Sequence, residues 1–144
     1  MAQDNGGASR LPFFGWEGIP MKIIDAITRI DALKYNTYSR EEKLEWLTNL
    51  DAKVKKLIID THQGGERVEF TGYDEKTDPE TELLIPAPFD EVYLRWMEAQ
   101  IDYYNGEFDK YNNAIIMFNA AYEAFEKYYN QNNMPLSHGS RFKF

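Results

Sequence analysis

The chain has two imidazoles, His62 and His138. They lie far apart, and neither falls in a spacing such as H-E-x-x-H, which sets two ring nitrogens on one helix face around a metal. No carboxylate or nucleophile is placed to orient either ring as a general base, so both are expected in solvent. Cysteine is absent. That excludes a thiol nucleophile, a disulfide framework and cysteine-ligated zinc or iron–sulfur chemistry.

Carboxylates form two groups. Asp74, Asp78 and Glu80 share a polar stretch without the alternating ligand pattern of a calcium loop, and Asp78-Pro79 initiates a turn. Glu98, Asp102, Glu107 and Asp109 could suggest a carboxylate metal site in a helical bundle. Such sites also use Glu-x-x-His pairs, which this sequence lacks, so these four are expected to face solvent. No phosphate loop, nucleophile elbow or dinucleotide fingerprint occurs. The residue types therefore point to binding rather than turnover: no enzyme, no cofactor and no metal are expected. A metal-dependent hydrolase built on the carboxylates is the enzymatic rival.

The elements around these residues are mostly helical. The 144 residues fit one domain, long enough to bury about two-thirds of the surface of the unfolded chain. Acidic residues outnumber basic ones 24 to 16, for a formal charge of -8, the opposite of a nucleic-acid or anionic-membrane footprint. An acidic wall would still suit a channel past which DNA must slide. No basic leader with an apolar run opens the chain, and no stretch has the length of a membrane span, so a soluble cytosolic product is expected.

Residues 1–20 read as an extended arm whose Phe13, Phe14 and Trp16 should dock on the body or on a neighbouring subunit. Residues 21–131 read as the folded domain. Ile23, Ala26, Ile27, Ile30 and Leu33 give the first helix one apolar face. Ser39 and Glu42 form a capping box that opens the second, whose stripe runs Leu44, Leu47, Leu50, Val54, Leu57, Ile58 and Thr61, with Trp46 off it. Between about residues 66 and 85 the period becomes alternating, through Val68 and Phe70 and then 81–85, which predicts a β-hairpin.

Pro88 can occupy the first turn of a third helix. That helix carries two stripes, one of Phe89, Val92, Tyr93, Trp96, Ala99 and Tyr103, the other of Leu94, Met97, Ile101, Tyr104 and Phe108. So broad an apolar circumference must be covered on both sides. Leu94, Met97, Ile101 and Tyr104, with Phe13, Phe14 and Trp16, are accordingly expected at a contact between subunits. Asn105-Gly106 closes the helix. The fourth helix then repeats Tyr111, Ile115, Phe118, Tyr122, Phe125 and Tyr129 at steps of four and three, and packs antiparallel on the third. A half-repeat of tetratricopeptide type around Gly106 has no second copy, so it indicates hairpin packing only. Residues 132–144 read as a tail that orders on a partner.

Thr71-Gly72-Tyr73, the run Thr77-Asp78-Pro79-Glu80-Thr81-Glu82-Leu83-Leu84-Ile85-Pro86-Ala87-Pro88, Glu98-Ala99-Gln100-Ile101-Asp102-Tyr103, Tyr111-Asn112-Asn113 and Phe118-Asn119-Ala120-Ala121-Tyr122 together resemble tailed-phage head-to-tail connector proteins, also called adaptor or head-completion proteins. The likeness spans residues 21 to about 131 and leaves the N-terminal arm outside. It implies a four-helix, bundle-like domain with a small β-hairpin, assembled into a ring, usually dodecameric, beneath the portal protein. Such a ring extends the DNA channel, holds DNA only as passing cargo, and receives a head-closure or tail-completion protein. In that family a C-terminal segment often clasps the portal, which would assign this role to Met134, Pro135, Leu136, Arg141, Phe142, Lys143 and Phe144. The implied location is the neck of the virion, after assembly in the host cytoplasm. The rival outside this family is a stand-alone helical interaction module.

Overall fold

The computed structural model of the protein describes residues 19–136. These form a mainly helical domain: strand β1 (Pro20–Lys22), helices α1 (Ile23–Leu33) and α2 (Arg40–Leu57), strand β2 (Glu82–Pro86), and helices α3 (Glu91–Tyr104) and α4 (Phe108–Asn132). The fold class expected from the sequence therefore holds.

Helix α2 begins where the sequence requires it. The Ser39 hydroxyl accepts the Glu42 amide at 3.0 Å while the Glu42 carboxylate accepts the Ser39 amide at 2.9 Å, satisfying two orphan donors of the first turn. Leu44, Leu47, Leu50 and Val54 are buried as their spacing predicts. The helix proper stops at Leu57, and Ile59–Thr61 continue as a 3-10 turn. Gly65 lies so close to the preceding turn that a Cβ there would stand 2.3 Å from the Ile59 carbonyl oxygen, which explains a glycine at that place.

The strand pair differs from the expected hairpin over residues 66–85. Its second strand is where the sequence places it, but its first is β1, antiparallel to β2 with Pro20 opposite Pro86 and Lys22 opposite Glu82. Residues 20–22 thus belong to the folded body, where an arm was expected to reach Pro20. The amides of Ile23 and Ile24 extend the pairing to the carbonyls of Thr81 and Pro79 at 2.9 and 3.0 Å.

Residues 68–73 form no strand, and the two ends of the segment bond elsewhere: the Val68 amide donates to the Gly65 carbonyl at 3.0 Å, and Tyr73 turns to α2. The Thr48 hydroxyl on α2 accepts the Tyr73 amide at 2.9 Å and donates to the Tyr73 carbonyl at 3.1 Å. Val68 and Tyr73 are buried and Phe70 is half-buried, so the alternating residues pack on helices with no sheet beneath them. The polar stretch that follows is a series of Asx turns, as expected: Asp74 Oδ1 accepts the amides of Lys76 and Thr77, and Asp78 Oδ1 accepts that of Glu80.

Helix α3 is the hub. It packs against α1 and α2 on one side and along α4 on the other, and Val92, Tyr93, Met97, Ala99 and Ile101 are buried. The reversal into α4 is the glycine closure predicted from Asn105-Gly106: Gly106 adopts φ +77°, and the Glu107 amide returns to the Asp102 carbonyl at 2.9 Å. Along α4 the regular face of Tyr111, Ile115, Phe118 and Tyr122 is half-buried, and Phe125 and Tyr129 complete it in full burial.

Candidate interaction surfaces

The expected subunit contact on α3 is mostly inside the protomer. Leu94, Met97 and Ile101 retain 9, 0 and 0% of their surface, whereas Tyr104 keeps 59%. The two stripes do need two coverings, but α1 and α2 supply one and α4 the other, so the first three residues are core. The remaining expected contacts, Phe13, Phe14 and Trp16, lie outside the described residues, as do Arg141, Phe142, Lys143 and Phe144 of the tail.

Tyr104 belongs to a chain of aromatic rings at the corner between α3 and α4. It stacks on Trp46 with centroids 6.1 Å apart and planes 7° apart, and Trp46 meets Tyr38 edge-on at 5.6 Å. Tyr103 follows at 5.2 Å from Tyr104, then Phe108 and Tyr111 at 6.1 and 5.5 Å from Tyr103. The inner end of this chain is anchored: Trp46 is buried, and the Tyr38 hydroxyl bonds Asn105 at 2.6 Å. The outer end is open, with Tyr103 50% and Phe108 58% exposed. Tyr35, which follows the α1 terminus, is 86% exposed. Contiguous exposed aromatics of this kind mark contact sites more often than singly scattered ones do. Sequence reasoning found Tyr104 and assigned Tyr103 and Phe108 to stripes, but missed Trp46 as their support because it stands off the main α2 stripe.

The opposite end of the α3–α4 hairpin carries the root of the C-terminal segment. Pro135 pairs antiparallel with His62; the Gln63 amide donates to the Met134 carbonyl at 2.8 Å and the Leu136 amide to the Thr61 carbonyl at 3.0 Å. Met134 and Leu136 still expose side-chain surface. His62, expected in solvent, is buried: its Nδ1 lies 2.6 Å from the Ile58 carbonyl oxygen and its ring meets Tyr129 edge-on at 4.9 Å. Covering by the tail root is what a reading of the local sequence cannot supply.

Asp102 also departs from the solvent-facing expectation. It is buried and lies 2.8 Å from Lys34 Nζ, and that carboxylate holds the Lys34 ammonium pKa above its usual value despite partial burial. The other three carboxylates of that group are at least partly exposed; Glu98 pairs with Arg95 at 3.2 Å and Glu107 with Lys110 at 3.3 Å. A groove of about 200 Å³ between them is lined by Lys34, Arg95, Lys110 and Met117 among others, and its three cations are engaged in these pairs.

The most buried polar constellation was not anticipated. Asp51, on the α2 stripe between Leu47 and Val54, is fully buried. Its Oδ1 accepts the Tyr93 hydroxyl at 2.7 Å, and its Oδ2 accepts the Leu84 amide at 3.2 Å and the Tyr73 hydroxyl. The signal was an acidic residue at an apolar helix position. The cluster ties α2 to β2, α3 and the 68–73 segment from a buried position, which is a structural task. Among the described residues no group of histidines and carboxylates is arranged to hold a metal ion, and no helix is long and apolar enough to cross a membrane.

No known protein family is matched by the chain, and neither a curated protein nor a solved structure shows significant similarity to it.

Proposed function

We propose that this chain is a structural assembly subunit, a tailed-phage head-to-tail adaptor that packs into a ring between the portal and the next neck or tail protein. The observation that carries this reading is bipolar. An exposed aromatic surface at Tyr103, Tyr104 and Phe108 occupies one end of the α3–α4 hairpin, and the clamped root of the C-terminal segment leaves from the other. A connector needs two distinct attachment points of this kind, one for copies of itself or a distal partner and one for the portal. The formal charge of -8 favours a ring wall that repels passing phosphates. The resemblance, which spans residues 21 to about 131, is what supports the choice of this family.

Co-purification tests it. In a lysate that yields virions, the chain is expected in intact particles and in complexes pulled down with the portal protein. Absence from particles, together with no affinity for purified portal protein, would overturn the reading.

A second reading, a stand-alone helical interaction module, is favoured by the closure of Leu94, Met97 and Ile101 inside the protomer. The folded body then needs no partner to complete its core. A chain that stays free of particles while binding a cellular protein through the aromatic end would support it.

A further inference from the structure

We infer that Asn105-Gly106 is a self-modification site, which closes to a succinimide and opens to aspartate or isoaspartate, and that the Tyr38 hydroxyl holds it unreactive in the folded chain. The inference stands apart from the assembly reading, because it concerns one protomer and water.

The pair has the chemistry. Of the asparagines among residues 19–136, only Asn105 precedes a glycine, whose nitrogen no side chain shields. That nitrogen, on losing its proton, attacks the Asn105 side-chain amide carbon. A new C–N bond forms, the Cγ–Nδ2 bond breaks, and ammonia leaves with the proton. Water then opens the ring at either carbonyl, so the net change is water in and ammonia out, and water is the sole co-reactant. Both residues are exposed, and a Cβ built on Gly106 would meet nothing within 4 Å, so water and hydroxide have access.

Geometry nevertheless withholds the reaction. Asn105 ends α3 with φ -78° and ψ -9°, which nearly eclipses the Gly106 nitrogen with the Asn105 nitrogen and turns it away from Cβ. Ring closure needs that nitrogen to eclipse Cβ instead. The swing would break the bond from the Gly106 amide to the Tyr103 carbonyl at 3.0 Å, beside the Glu107 to Asp102 bond at 2.9 Å. The side chain is held as well, because the Tyr38 hydroxyl donates to Asn105 Oδ1 at 2.6 Å. Tyr38 is itself fixed: Asn36 Oδ1 accepts its amide at 3.1 Å, and its ring meets Trp46 edge-on at 5.6 Å. A donor on the carbonyl oxygen polarises the carbon for attack, but in the arrangement that makes this bond the nitrogen cannot arrive. Restraint therefore outweighs activation. Reaction waits for the end of α3 to open, and the Tyr38 bond sets how often it does.

Full-length protein is incubated at mildly alkaline pH, folded or unfolded in guanidinium chloride. Peptide mapping follows the exchange of NH2 for OH at residue 105, and an isoaspartate assay follows the product. Asn105 of the folded chain is expected to convert about ten- to a hundredfold more slowly than that of the unfolded chain, the factor for two hydrogen bonds that must open first. Tyr38→Phe keeps the ring and loses the hydroxyl. It should speed conversion in the folded chain about two- to tenfold, the population gained on losing one such bond, and leave the unfolded rate alone. Phe118→Ala, in the middle of α4, lowers stability away from Asn105 and should leave the folded rate unchanged, with helicity measured for every variant. No conversion in the unfolded chain, or equal rates folded and unfolded, would overturn the inference. So would a Tyr38→Phe rate equal to the parent's, or a Phe118→Ala rate as high as that of Tyr38→Phe, since global unfolding would then be the gate.

Discussion

The Tyr93 hydroxyl donates to Asp51 Oδ1 at 2.7 Å and accepts the Ile85 amide at 2.7 Å, so that one buried oxygen joins α2, β2 and α3. Tyr93→Phe would leave the carboxyl short of a donor and the Ile85 amide without an acceptor in a site closed to water. A loss of about 3 kcal/mol is expected in urea unfolding, in the range for hydrogen bonds that involve an ionisable partner. A loss below about 1 kcal/mol would show that water enters to replace the hydroxyl.

The same burial sets an alkaline limit on stability. Burial first, and then Asp51, pushes the Tyr93 hydroxyl pKa well above its usual value, and burial with Asp60 pushes Tyr129 up to about 12. Both folded-state values exceed the unfolded one of about 10, so the folded chain holds these protons more tightly. Their contribution is fully present below pH 10 and is lost as pH rises through the folded values. Urea midpoints measured at pH 8 and pH 11 should fall on going alkaline, and Tyr129→Phe should remove part of that fall. An unchanged slope in this variant would count against the burial of its hydroxyl.

Lys34 and Asp102 should couple strongly. The pair is 2.8 Å apart with the carboxylate almost fully enclosed. Lys34→Met strands a buried charge and is expected to cost about 3 kcal/mol, while Asp102→Asn in the Lys34→Met background restores much of it, since breaking a buried pair costs more than removing both charges. Four unfolding curves make the cycle. Additive losses would mean that the pair is solvated.

On α4 the two phenylalanines of the regular face should separate. Phe125 is fully enclosed and contacts Phe89 and Tyr129 at centroid distances of 5.9 and 5.8 Å, so Phe125→Ala is expected to cost about 3 to 5 kcal/mol. Phe118 also reads as core from the sequence, but it is half-buried against Trp96 at 5.0 Å. Its replacement by alanine should cost about 2 kcal/mol, because less surface returns to water. Thermal and urea unfolding rank the two, and the reverse order would misplace the core.

Truncation should distinguish the tail root from the rest of the tail. A stop after Leu136 keeps both backbone bonds to Thr61 and Gln63 and is expected to leave the melting temperature unchanged while weakening binding to portal protein. A stop after Asn133 removes both bonds and uncovers His62, at about 1 to 3 kcal/mol. A tail read from the sequence alone as adding few core contacts would leave the helical fold intact in the second truncation and weaken only docking. Identical melting of the two truncated forms would show that the root contributes nothing.

What the sequence by itself determined is local. The Ser39–Glu42 box, the Gly106 reversal and the four-three spacing from Tyr111 to Tyr129 each depend on residues within a turn or two, where helix geometry fixes which side chains meet. Only the tertiary structure decided whether α3's second stripe faced a neighbour or its own core, because periodicity records that a face is covered and not by what. Tertiary packing also decided that β2 pairs with residues 20–22, that Asp102 lies beside Lys34, that Pro135 closes over His62, and that Asp51 gathers two tyrosines. Each of these joins groups far apart in the chain, where burial makes any unmet hydrogen bond costly and the partners are chosen by whichever donor or acceptor the folded body brings within reach.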